Sequence, residues 1–261
     1  MPWLGPFTIV EISSNNTCSL KSEKGELKQR QNISNIKLFT ARKFEKREEE
    51  HSPPVEENET ADRVCTSWIK ELHLTLDDRN IIENREMLTD RIIDAAHHLL
   101  MRQYPVNDIE TPLLCQTSGF TPTQNPCVQI HYDAQRQHWI TSSTTRQRVE
   151  VADSLSNGSI SQTIEDQLGQ KYSSLASDGI LPVYLLPVRQ QDNSTDCGVY
   201  AIANAVEFVE ENGNPMAYYE IDVMRSHLIE CLESRELLPF PKCSKKIRGR
   251  QPKTTVHNIN L

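Results

Sequence analysis

Residues 190–208 read QQDNSTDCGVYAIANAVEF, a polar run that turns into an apolar helical pattern at Cys197. If a helix begins near Asp196, the thiol sits on its opening turn, where unpaired backbone N–H groups and the positive dipole end favour a thiolate over a thiol. Gly198 lets backbone come close beside the sulfur, which helps where N–H groups must point at an oxyanion. Gln191, six residues upstream, brings a side-chain amide able to donate to the same oxyanion. A thiol nucleophile also needs a base, and the base needs an acceptor that fixes its tautomer and stabilises the imidazolium. His138 and Asp153 fit these roles: one opens a strand pattern and the other lies near the end of the next, so adjacent strands can bring them together. Other histidines suit less well, with His97 and His98 on a helical pattern, His51 in an acidic stretch and His257 near the C-terminus. The chain order His, Asp, Cys excludes the papain arrangement, in which the cysteine comes first. Singly, each residue has an ordinary explanation: a buried cysteine as a small hydrophobe, a histidine at a strand end, an aspartate in a turn. Their conjunction points to nucleophilic catalysis.

The elements that must carry these residues are legible from periodicity. LTDRIIDAAHHLLMRQ (88–103) has apolar positions at helical spacing, with Thr89 as its N-cap. CVQIHY (127–132), HWITSST (138–144), VEVADSL (149–155) and PVYLLPV (182–188) alternate or are rich in β-branched residues and predict strands. A helix is expected over 159–172, between the third and fourth strands. Another runs from Cys197 to the ENGNP stop at 211–215, and a last one spans Met216 to Ser234. Together they predict an α+β domain.

The formal charge of −8 is unevenly spread. Residues 1–44 and 241–261 are basic and 45–59 strongly acidic, and residues 60–240 carry 13 basic against 26 acidic groups. So acidic a body is ill suited to lie along nucleic acid, and any such contact is expected from the ends. Six basic residues fall between Lys242 and Lys253, in a tail (241–261) expected to be disordered and to serve nuclear import or weak DNA contact, or simply solubility. Residues 45–60, with two adjacent prolines, read as a linker, and the main domain is expected over 61–240. Seven cysteines without a CxxC pair fit neither a disulfide framework nor a zinc site, so a reduced, intracellular chain without metal is expected, nuclear or cytoplasmic. No apolar run reaches the ~18 residues of a membrane span, so no membrane association is expected.

Two resemblances add to this reading. Residues 3–39, with strand-like pieces at Phe7–Ile12 and Thr17–Leu20 between turn clusters, resemble the small barrel that follows the catalytic core of retroelement integrases, which implies a mobile-element ancestry. Residues 62–240 resemble the ubiquitin-like-protein-specific cysteine proteases, the SUMO proteases related to the adenovirus endopeptidase. The likeness rests on His138-Trp139, on Asp153-Ser154-Leu155, and on Gln191-Asp192-Asn193-Ser194-Thr195-Asp196-Cys197-Gly198. It implies a central mixed sheet flanked by helices with the nucleophile at a helix N-terminus, and a monomer that needs no cofactor. It further implies Cys197 as nucleophile, His138 as base then acid, Asp153 as orienter and Gln191 as oxyanion donor. Asp196 and Gly198 would shape the loop at the substrate site, and Trp139 would wall a channel over the two C-terminal glycines of a modifier of SUMO or NEDD8 type. Where the family places tryptophan on the opposite wall this chain has Met87, which is apolar and adaptable but lacks a flat rigid face. Clan relatives that transfer acetyl groups through the same cysteine, or a binding module that has lost activity, are the competing readings.

Overall fold

A computed structural model describes residues 66–116, 118–156, 158–243 and 253–261, together with three strands near the N-terminus. The chain divides into two compact units, Met1–Thr60 and Ala61–Leu261. In the first, β1 (Phe7–Ser13), β2 (Thr17–Ser22) and β3 (Leu27–Asn32) form an antiparallel meander, with an irregularity between Ile9 and Glu11. The acidic stretch 45–60 and residues 244–252 of the basic tail lie outside the described residues.

The second unit opens with a small hairpin, β4 (Ser67–Ile69) and β5 (Leu74–Thr75), that leads into α1 (Leu76–Glu83). α1 starts on a reciprocal cap: Thr75 Oγ1 accepts from the Asp78 N–H at 3.4 Å, and Asp78 Oδ2 accepts from the Thr75 N–H at 2.8 Å. α2 (Asp90–Gln103) follows. Thr89 occupies its N-cap position, but no cap bond forms from the hydroxyl, which is buried without a partner.

A five-stranded sheet forms the centre, in the order β10-β9-β8-β7-β6. Its members are β6 (Val128–Asp133), β7 (His138–Ser143), β8 (Val149–Ala152), β9 (Ile180–Leu185) and β10 (Thr255–Asn260). All neighbours are antiparallel except β8 and β9, which the crossover helix α3 (Gln162–Tyr172) joins in parallel. On one face α4 (Cys197–Val209) packs on β6 and β7 and is backed by α2 and α5 (Ile221–Ser234). On the other face α3 covers a second core of Ile140, Val151, Ile164, Leu168 and Leu181. With both faces covered, β7 and β8 are buried along their whole length, which is why these strands read as continuous rather than alternating.

Two expectations need correcting. The end of the chain is not a disordered tail throughout, because Thr255–Asn260 adds a strand to the free edge of β9. Ile259 enters the core beneath α3, the Leu261 N–H donates to the Gly179 carbonyl at 2.9 Å, and His257 reaches Glu165 at 2.8 Å. The last helix begins at Ile221 rather than Met216, the preceding residues being held in a turn by the Ala217 N–H on the Asn214 carbonyl.

Candidate active site

The hairpin between β6 and β7 sets the first component. Asp133 Oδ1 accepts from the backbone N–H groups of Gln135 and Arg136, and this turn delivers His138 at the start of β7. β8 runs antiparallel beside it and ends at Ala152, which places Asp153 alongside. His138 Nε2 donates to Asp153 Oδ1 at 2.6 Å, and the same carboxylate accepts from the Leu155 N–H at 2.8 Å and from Arg136 at 3.2 Å. Burial, the strongest influence on Asp153, pushes its pKa up. The hydrogen bond and charge of His138, the Leu155 N–H and Arg136 outweigh it, so the carboxyl is held below its ordinary value.

With Nε2 engaged by Asp153, the Nδ1 side of the ring is left for the thiol. Burial again pulls the imidazolium pKa down, but hydrogen bonds to Asp153 and Cys197, and the charges of both, raise it to about 9. Two other buried histidines give the contrast. His97 and His131 are also shut off from solvent but lie deeper in the protein, and burial, the largest influence, drives each down to about 3. His138 has Asp153 and Cys197 beside it, whereas the positive charge of Lys171 adds to the lowering of the other two.

Cys197 is the first residue of α4, with Asp196 at the N-cap position. The loop before it is rigidly tied. Asn193 Oδ1 accepts from the Thr195 and Asp196 N–H groups at 3.0 and 2.9 Å, and its side-chain amide donates to Asp196 Oδ2 at 2.7 Å. Gln191 is fixed by Ser154, whose hydroxyl donates to Gln191 Oε1 at 2.7 Å. The Gln191 amide nitrogen gives one proton to the Asn193 carbonyl, and its second N–H has no acceptor among the described residues. Gly198 lies flush against Leu88: a Cβ added there would sit 2.8 Å from Leu88 Cβ.

Trp139 and Met87 share one cleft of about 230 Å³, lined also by Leu88, Thr89, Asp90, Leu113 and Tyr132. Trp139 Nε1 donates to the Leu88 carbonyl at 3.0 Å, and its ring lies 4.6 Å from that of Tyr132. The cleft reaches the helix start beside Cys197 through Leu88, which packs against Gly198. Cys197 and His138 themselves are closed off from water, at 0% and 1% exposure. Asp196 and Gly198 do not line the cleft; they hold its neighbouring helix start, Asp196 through an ion pair with Arg225 at 2.7 Å. Cys127 and Cys231 are buried thiols pushed up by their surroundings, Cys127 to about 12. The sequence reading quoted Ser154 only as part of the Asp153-Ser154-Leu155 motif and missed Arg136 and Arg225, which act on residues distant in the chain.

No protein-family model matches the chain, and no curated protein does. Among solved structures, the SUMO protease Ulp1 with its catalytic cysteine oxidized to a sulfonic acid superposes with a TM-score of 0.52 at 16% identity, covering 67% of this chain and 91% of that one. The sulfinic acid form of the same protease gives 0.52 and 16%, over 67% and 90%. The chain has the Ulp1 fold. At this identity the likeness is one of architecture: a mixed central sheet between helices, in which an Ulp1-like domain places Cys197 at the start of the helix that packs on the His138 strand. Among the described residues no helix is long and apolar enough to cross a membrane.

Proposed function

We propose that the chain is a cysteine protease that cleaves after the Gly-Gly C-terminus of SUMO or a related modifier. The observation that carries this reading is His138, a buried histidine raised to about 9 by an aspartate on one side and a thiol on the other. In such a pair the Cys197 thiolate attacks the carbonyl carbon of the terminal glycine, and the oxyanion takes the second Gln191 N–H and backbone N–H groups at the start of α4. The His138 imidazolium passes its proton to the departing amine, which leaves a thioester on Cys197. His138, now neutral, takes a proton from water as the water attacks the thioester, and collapse releases the modifier carboxylate and restores the thiolate. Asp153 keeps the ring in the required tautomer throughout. Trp139 and Met87 face one cleft, whose narrow walls favour glycine at the two positions before the cut.

Fluorogenic amides at the C-terminus of SUMO, NEDD8 and ubiquitin test the reading. Turnover of one of them by the wild-type chain, abolished in Cys197→Ala, is expected. An absence of turnover on all three would remove the modifier protease from consideration.

A further inference from the structure

Arg225, on α5, is 8% exposed and spends all five of its N–H donors inside the protein. Nε donates to Asp196 Oδ1 at 2.7 Å. One terminal nitrogen donates to the carbonyls of Ile81 and Ile82 at 3.4 and 3.2 Å, and the other to those of Glu86 and Thr195 at 2.8 and 3.0 Å. These acceptors come from three places. Ile81 and Ile82 belong to the last turn of α1, where their carbonyls also accept from the Glu86 and Arg85 N–H groups at 3.0 and 3.3 Å. Glu86 immediately precedes Met87, the cleft wall, and Thr195 and Asp196 immediately precede Cys197.

The geometry points to Arg225 as a positioning residue that locks the Met87 wall and the Cys197 helix start into one register. The inference rests on the proposed chemistry of Cys197, since it concerns how that thiol is aimed. Only a planar fork with five donors can span these carbonyls; a lysine ammonium, a point charge with three donors, can keep the Asp196 pair and little else. Leu88 then transmits the same register directly, because it packs against Gly198 and its carbonyl holds Trp139.

The test uses the full chain with Arg225→Lys and Asp196→Asn. Three quantities are read: thermal midpoint, kcat and KM on the modifier amide, and the pH midpoint of Cys197 alkylation by iodoacetamide, mapped by peptide mass. Arg225→Lys is expected to lower kcat by about 100-fold with KM little changed, the size of effect that small misplacement of reacting groups produces, and to move the alkylation midpoint to higher pH as the thiol leaves its stabilising surroundings. Asp196→Asn supplies a signed control. Removing a negative charge beside the thiol favours the thiolate by Coulomb's law and moves the midpoint to lower pH, whereas loosening the clamp moves it to higher pH, and the clamp predicts the rise. An Arg225→Lys protein that melts earlier but keeps the wild-type alkylation midpoint, or an Asp196→Asn protein whose midpoint falls, would overturn the inference. If wild type turns over no modifier, the alkylation arm still decides the clamp, so the two failures are distinguishable.

Discussion

Asp153→Asn is the perturbation that the site geometry constrains most closely. The carboxylate accepts three bonds, from His138 and Leu155 on Oδ1 and from Arg136 on Oδ2. An asparagine can keep its oxygen toward His138 and Leu155, but its NH2 then meets the Arg136 donor, and the negative charge is gone. His138 stands at about 9 against an ordinary ~6.5, a displacement that corresponds to about 3 kcal/mol favouring the imidazolium. Burial opposes that displacement and Asp153 is the foremost influence supporting it, so the variant should return His138 to its ordinary value or below. A fall of about two units leaves roughly half the imidazolium at pH 7 and roughly 50-fold less at pH 9. The assay is the pH dependence of kcat/KM on the modifier amide. In wild type the alkaline limb should fall as pH rises through about 9, where the proton for the leaving amine is lost. In Asp153→Asn that limb should move by about two units to lower pH, with activity down about twofold at pH 7 and on the order of 50-fold at pH 9. A variant whose alkaline limb stays near 9 would refute the assignment of Asp153 as the group that holds His138 charged.

Four further outcomes follow from the same contacts. Because the folded pKa of His138 lies above its unfolded value, its contribution to stability is complete below about 6.5 and is lost as pH rises through about 9; the thermal midpoint of wild type should therefore drop over that window more than that of His138→Gln. Gly198→Ala forces a methyl to 2.8 Å from Leu88 Cβ and should cost about 1–3 kcal/mol in chemical unfolding. Met87→Trp gives the cleft a second flat wall opposite Trp139, and a gain of about 0.5–1.5 kcal/mol, roughly 2–10-fold in kcat/KM on a Gly-Gly substrate, is expected. Deleting residues 253–261 strips β10 from β9 and uncovers the core around Ile259, so the chain should lose about 2 kcal/mol or more of stability while Cys197 remains reactive.

The parts of the site that depend on local pattern were readable. His138 opens a strand because HWITSS is β-branched and apolar, and α4 begins at Cys197 because the polar DNSTD run ends there. The antiparallel pairing of β7 with β8, which joins His138 to Asp153, followed from their short connection. The parts that depend on distant partners were not readable. Arg225 lies 29 positions from Asp196, and Arg136 lies 17 from Asp153, so neither side chain advertises its role in its own neighbourhood. α1 is only eight residues long, and its clearest signal is the Thr75–Asp78 cap rather than an apolar stripe. β10 was hidden by the charge of the run before it: six basic residues suggested a solvated tail, while Ile259 supplies the apolar anchor that docks the strand.

The central claim is that Cys197 is the nucleophile and that His138 arms it. The most direct measurement is peptide mapping by mass spectrometry after incubation of the full chain with a modifier bearing a C-terminal propargyl amide. One adduct on the peptide that contains Cys197, absent from the other cysteines and lost in His138→Gln, is the predicted result. An adduct that forms equally well without His138, or that sits on another of the seven cysteines, would contradict it.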